Sequence, residues 1–166
     1  DELRCGALVE QVDLALVDPD NRRPVDHAAR ARRLADLDAG TPPQSLGDEK
    51  LLVTATALRL RRARPDVFVG PAARYTPLAT SSEHVVAFRR GDGGADDVCV
   101  VATRLAGRLR DRGGWGEAAV TLPPGRWRDL LGDRVLGGGD ARLAEVVPLG
   151  DLPVAILVRD DGRTGR

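Results

Sequence analysis

The sequence predicts an α+β chain, helical to about residue 66 and antiparallel β beyond. Two observations carry that division. Between residues 25 and 64 apolar side chains recur at spacings of three and four, the repeat of a helix with a buried face. After Pro65 the repeat stops, and short apolar runs alternate with Gly, Pro and Asp clusters, which reads as an antiparallel sandwich. The 166 residues suffice for one full domain or a small domain plus part of another, and no internal repeat is visible.

The first helix takes Val25, Ala28, Ala29, Leu34 and Leu37 as its apolar stripe, with Arg30, Arg32 and Arg33 mostly on the other side. Gly40-Thr41-Pro42-Pro43 ends it. A second helix opens at Gly47-Asp48, with Asp48 as the expected N-cap, and runs to about Arg64, where Pro65 stops it. Leu51, Leu52, Ala55 and Leu58 form one stripe to be buried, and Val53, Ala57 and Leu60 call for a second neighbour. Arg59, Arg61, Arg62 and Arg64 crowd its C-terminal end, where cations offset the helix dipole.

Strands are expected at residues 84–89, 97–103, 118–122, 127–131 and 153–159, with a weaker one at 143–149. Those at 97–103 and 153–159 are apolar on both faces, as central strands are. Gly91-Asp92-Gly93-Gly94, Gly113-Gly114 and Gly137-Gly138-Gly139 read as turns.

Charge and composition narrow the function. Lys plus Arg and Asp plus Glu are 25 each, a balance that argues against nucleic acid as the main partner. Arginine dominates, Lys50 being the sole lysine, which suggests a GC-rich coding bias. No apolar run approaches the ~18 residues of a membrane span, and, with no methionine, the sequence is expected to begin neither at a start residue nor with a signal peptide. Cys5 and Cys99 lack metal-type spacing, and a reduced cytoplasmic setting is expected.

No catalytic motif stands complete. Ser81-Ser82 lacks a hydrolase elbow, and His27 and His84 have no partner histidine at i+4. No metal site and no cofactor is expected. Trp115 and Trp127 are expected as core anchors rather than sugar platforms, since aromatics are few. The run Leu16-Val17-Asp18-Pro19-Asp20-Asn21-Arg22-Arg23-Pro24-Val25-Asp26 holds three acids, two arginines, an amide and two prolines. Its prolines keep the backbone extended, so it is a stiffened polar loop suited to a polyhydroxylated ligand. Asp13, Asp18, Asp20 and Asp26 could supply a glycosidase carboxylate pair, though spacing alone does not show one, and Asp side chains beside Pro and Asn equally serve loop geometry.

That loop, from Asp13 to Asp26, resembles the late catalytic-domain loop of the maltooligosyl trehalose synthases of the α-amylase superfamily, glycoside hydrolase family 13. The likeness continues in family order. Residues 58–68 resemble the last barrel helix and its exit, and residues 84–88 the first main strand of the C-terminal domain. Gly113-Gly114-Trp115-Gly116 and residues 125–131 resemble two further landmarks there. The front differs, because Arg4-Cys5-Gly6-Ala7-Leu8-Val9-Glu10 stands where the family usually shows a Tyr-Gln-Gly-x-Glu type stretch.

The resemblance implies that residues 1–66 are the end of a (β/α)8 catalytic barrel and residues 67–166 a C-terminal β-sandwich domain. It implies part of an isomerase of trehalose biosynthesis. Such an enzyme moves the reducing-end α-1,4 linkage of a maltooligosaccharide to α,α-1,1 by intramolecular glucosyl transfer, through chemistry like that of retaining glycosidases. The family's nucleophile and acid/base would precede Asp1, so this chain alone is expected to be inactive. Asp18, Asn21, Arg22 and Arg23 are expected to bind substrate, with no nucleic-acid or membrane partner. A non-catalytic α-glucan-binding β module and a fragment of another α-amylase-superfamily hydrolase are the alternatives.

Overall fold

A computed structural model of the chain describes residues 26–160. The order is α1 (His27–Asp38), α2 (Leu46–Ala63), α3 (Pro65–Phe68), β1 (Tyr75–Pro77), β2 (Val85–Arg90), β3 (Val98–Thr103), α4 (Ala106–Asp111), β4 (Ala119–Asp129), β5 (Val135–Arg142), α5 (Leu143–Val146) and β6 (Val154–Arg159). One compact unit ends at Leu52 and a second begins at Val53, so the two meet within α2.

In the first unit, α1 starts at Asp26, whose carboxylate accepts the Ala29 N–H at 2.8 Å, a side-chain cap. Its inward line is Ala29, Arg33, Leu34 and Leu37, of which Leu37 is buried. Arg33 therefore joins the stripe instead of facing away. The α2 cap is corrected too. The helix begins at Leu46, the Ser45 hydroxyl accepts the Asp48 N–H at 3.2 Å, and Asp48 sits in the first turn.

The second unit is built on one antiparallel sheet of order β1-β2-β3-β6-β4-β5. The expected two-sheet sandwich is thus replaced by a single sheet that curls. After β1 the chain leaves β2 and bridges β4 at Thr80–Val120, with Ser81 N–H on the Ala119 carbonyl (3.0 Å) and Thr121 N–H on that of Ala79 (2.9 Å). Strand spacing in sequence cannot distinguish neighbours in one curled sheet from strands in two facing ones.

The ladder register sorts side chains by face. Ala87, Val101 and Ala155 stand opposite one another, as do Arg89, Cys99 and Leu157. On that face Cys99, Val101, Trp127, Ala155 and Leu157 pack with Leu109, Trp115, Leu143, Val146 and Val147. On the other face Val98, Ile156 and Val158 pack with Leu60 of α2 and Val67 of α3, flanked by Phe68, Leu130 and Leu131. This two-sided burial of β3 and β6 is the one their apolar sequences predict.

Three strand expectations change. Residues 143–149 are not a strand: α5 and the turn after it carry Leu143, Val146 and Val147 into the core. Gly137-Gly138-Gly139 is not a turn but lies within β5. Residues 118–122 and 127–131 are not separate strands, because β4 joins them through a bulge. Leu122 pairs Gly139 and Arg126 pairs Gly137, so Pro123-Pro124-Gly125 faces Gly138 alone. Prolines have no N–H for the ladder, and the bulge lifts them out of it. Gly138 must be glycine there, since a Cβ would lie 2.5 Å from the Pro123 oxygen.

Candidate functional site

Asp18, Asn21, Arg22 and Arg23, the expected substrate contacts, lie outside the described residues, as do Cys5, Asp13, Asp20 and the whole of residues 1–12. Asp26, the last residue of the signature loop, is described, and it caps α1. Its carboxylate serves the helix start.

Behind the loop, α1 and the start of α2 are clasped by an ion pair. Arg33 Nε reaches Asp48 Oδ1 and Arg33 Nη2 reaches Asp48 Oδ2, both at 2.8 Å, the two-pronged geometry that guanidinium and carboxylate favour. The Gln44 N–H also donates to Oδ2 at 2.8 Å. The Arg33 hydrogen bonds hold the Asp48 carboxyl well below the usual carboxylate range, aided by Gln44 and Ser45 and opposed by burial. Asp48 in turn raises the Arg33 pKa, chiefly through the same hydrogen bonds. Serine at 45 with an acid three residues on is a helix-start pattern, so the sequence held the signal for this arrangement.

Two more carboxylates are buried in the second unit. Asp129, with a fully buried side chain, accepts from Arg134 Nε (3.1 Å) and Nη2 (2.7 Å) and from the backbone N–H groups of Leu131 (3.0 Å) and Ile156 (3.2 Å). Four donors tie the β4–β5 turn to β6. Asp97 accepts the Gly93 N–H at 3.1 Å and faces Arg89 Nε at 3.4 Å. Gly91 makes room for it, because a Cβ there would stand 2.1 Å from Asp97 Oδ1. Both carboxylates hold turns in place.

Both tryptophans are core residues. Trp115 donates its indole N–H to the Val147 carbonyl at 2.8 Å, and Trp127 to that of Pro123 at 2.9 Å. The Arg159 guanidinium lies 4.6 Å from the Trp127 ring centre. Neither ring is a platform for a sugar. His84 is buried, with Nε2 3.2 Å from Arg112 Nη1, while Arg112 pairs Glu83 at 2.5 Å and lowers its pKa. Among the described residues no three His, Cys, Asp or Glu side chains gather as a metal site. Burial pushes the Cys99 thiol up to about 12, which leaves it unreactive.

Comparison with known proteins supplies what the described side chains do not. No family model matches the chain. A provisionally named maltooligosyl trehalose synthase from each of two strains of Mycobacterium tuberculosis is 41% identical over 152 residues, 90% of this chain. The solved structure of maltooligosyltrehalose synthase from Arthrobacter ramosus matches over 91% of this chain at 43% identity, with a TM-score of 0.74. The chain is homologous to a C-terminal portion of the maltooligosyl trehalose synthases. It spans 17% of the length of the mycobacterial synthases and 19% of the Arthrobacter synthase. A point mutant of the Arthrobacter synthase gives the same TM-score of 0.74 at 42% identity. The described fold, with its helices followed by a curled antiparallel sheet, is similar to part of the solved Arthrobacter synthase.

Proposed function

We propose that this chain is the C-terminal part of a maltooligosyl trehalose synthase. The complete enzyme converts the reducing-end α-1,4 linkage of a maltooligosaccharide to an α,α-1,1 linkage by intramolecular glucosyl transfer in trehalose biosynthesis. The observation that carries this reading is the identity of 41–43% over nine-tenths of the chain, against relatives of which it spans under a fifth. Residues 1–66 form the end of the (β/α)8 barrel and residues 67–166 the C-terminal β domain. Asp18, Asn21, Arg22 and Arg23 contact the maltooligosaccharide, in a loop that the (β/α)8 plan puts on the active-site face. The nucleophile and the acid/base belong to the remainder of the enzyme, and this chain alone does not turn over. The structure supports that division: Asp48, Asp97 and Asp129 are engaged by arginines or backbone N–H groups. A cytoplasmic setting fits the unbridged thiol of Cys99.

The test uses two proteins, this chain alone and an Arthrobacter synthase whose corresponding portion is replaced by this chain. Incubated with maltopentaose, the chimera should consume reducing ends and the isolated chain should not. A folded chimera without activity would count against the assignment, and turnover by the isolated chain would overturn the division of labour.

A further inference from the structure

At the entry to β2 a histidine is buried among ionic groups. His84 is 4% exposed. Its backbone is fixed on both sides, the N–H donating to the Ser82 hydroxyl at 3.1 Å and the carbonyl accepting the Arg104 N–H at 2.8 Å. One ring nitrogen meets two charged partners. Nε2 lies 3.2 Å from Nη1 of Arg112, the residue that caps the C-terminal end of α4, and 3.7 Å from Glu83 Oε1. Arg112 and Glu83 pair with each other at 2.5 Å, and Arg104, at the exit of β3, adds a second positive charge near Glu83. The other ring nitrogen, Nδ1, is buried with no hydrogen-bond partner among the described residues. A guanidinium has donors and no acceptor, so a ring nitrogen bonded to it must be the one without a proton.

We propose that His84 and Arg112 form a proton-controlled latch between the start of β2 and the end of α4, closed while the imidazole is neutral and released when it takes up a second proton. In the closed form Nε2 accepts from Arg112 and the ring's one proton sits on Nδ1. Histidine is the side chain that ordinarily changes charge between about pH 5 and 8. A second proton puts a donor on Nε2, where it faces the Arg112 donor at 3.2 Å with like charge and little water between to screen it. Glu83 Oε1, 3.7 Å away, is the acceptor within reach of the new N–H. It stays ionised in mild acid, because the Arg112 hydrogen bond and charge hold the Glu83 carboxyl below the usual carboxylate range. The Arg112 side chain is 63% exposed and can swing into solvent. The acid form thus exchanges one Nε2 partner for the other. The segment it loosens is the turn after α4, where the N–H groups of Arg112, Gly113 and Gly114 donate to the carbonyls of Arg108, Arg110 and Leu109.

Two measurements on the full chain test the latch. The sequence has two histidines, so His27→Gln at an exposed position leaves His84 as the only imidazole. Nitrogen NMR of that ring at about pH 7.5 should show the neutral form with its proton on Nδ1. Arg112→Ala, at an exposed side chain, should move the proton to Nε2, facing Glu83. Hydrogen exchange supplies the second reading. Once the intrinsic pH dependence of exchange is divided out, the amides of residues 112–114 should open about tenfold more readily at about pH 5.5 than at about pH 7.5. In Arg112→Ala their exchange should not depend on pH over that range. A proton on Nε2 in the His27→Gln chain at about pH 7.5, or a ring charged there, overturns the latch. Exchange at residues 112–114 that is unmoved while the ring gains its proton overturns it as well.

Discussion

Residues 26–52 and residues 53–160 satisfy their side chains in different ways. In the first stretch Leu37 and Asp48 are the buried residues among those described, and the Arg33–Asp48 clasp is the best-made contact. In the second, two apolar clusters line the two faces of a sheet, and the indoles and the Asp129 carboxylate find partners inside. Helix α2 crosses from one to the other. Its stripe Leu51, Leu52 and Ala55, expected to be buried, is only half-buried, Leu58 is 59% exposed, and Leu60 alone of α2's apolar residues is buried. The comparison teaches that an α+β chain can complete one core internally while its leading helices hold apolar surface in reserve. Each exposed leucine forgoes roughly 1.5–3 kcal/mol of burial.

The sharpest way to break the contrast is Trp127→Ala. It removes a fully buried ring and its bond to Pro123, and should cost about 3–5 kcal/mol. That is a large share of the ~5–15 kcal/mol of a whole domain. A chemical denaturation series should show the sheet unfolding at lower denaturant, with the Leu60 end of α2 lost along with it. An unshifted midpoint would mean that the sheet core is not the seat of stability. Next in size is Asp129→Ala, which leaves Arg134 and two backbone N–H groups without their acceptor and should cost about 1–3 kcal/mol. Its thermal midpoint should fall, and a variant that melts like the parent would assign the turn no such lock.

Native-state hydrogen exchange should sharpen the comparison without a mutation. Amides of β3 and β6 should exchange most slowly, and those of residues 46–58 faster, with local opening well below the global free energy. Slow exchange throughout residues 46–58 at low concentration would show that the helices need no further partner. The smallest effect is the pH response of the clasp. The folded Asp48 pKa is depressed, chiefly by Arg33, from a model-compound value of 3.8. Its stabilising share is complete above about pH 4 and is lost only as pH falls through the lowered folded value. Helicity followed by circular dichroism should therefore drop a little in strong acid, and Asp48→Asn should flatten that part of the curve. An identical acid limb in both proteins would remove Asp48 from the account.

What was legible in the sequence follows what each residue can do alone. The central strands declared themselves because Val98 to Val101 and Ala155 to Val158 leave no polar side for water, and Pro65 marked the end of α2 because it has no N–H to donate. Residues 143–149 were illegible, since a short apolar run suits a strand or one helical turn equally. The glycines at 137–139 read as a turn because a glycine's need for close approach depends on a distant neighbour, here Pro123 and Pro124. Asp48 has the composition of a cap, yet Ser45 holds that position, three residues earlier. At the site, the loop from Asp18 to Arg23 announced itself by composition and family likeness, and Asp26 caps α1 through a local contact with Ala29, whereas the inward turn of Arg33 depends on Asp48, fifteen residues away.

The Pro123-Pro124-Gly125 bulge has a bearing on how this protein keeps company. A sheet ordinarily invites strangers along its two outermost strands, where unpaired backbone groups can template another chain. Here the β5 side pairs with a bulged β4 and carries three glycines in a row, and the β1 side is three residues long before the chain turns away to bridge β4. Neither margin offers a long straight ribbon for strand addition. Strand addition by an extended peptide is therefore disfavoured at both margins.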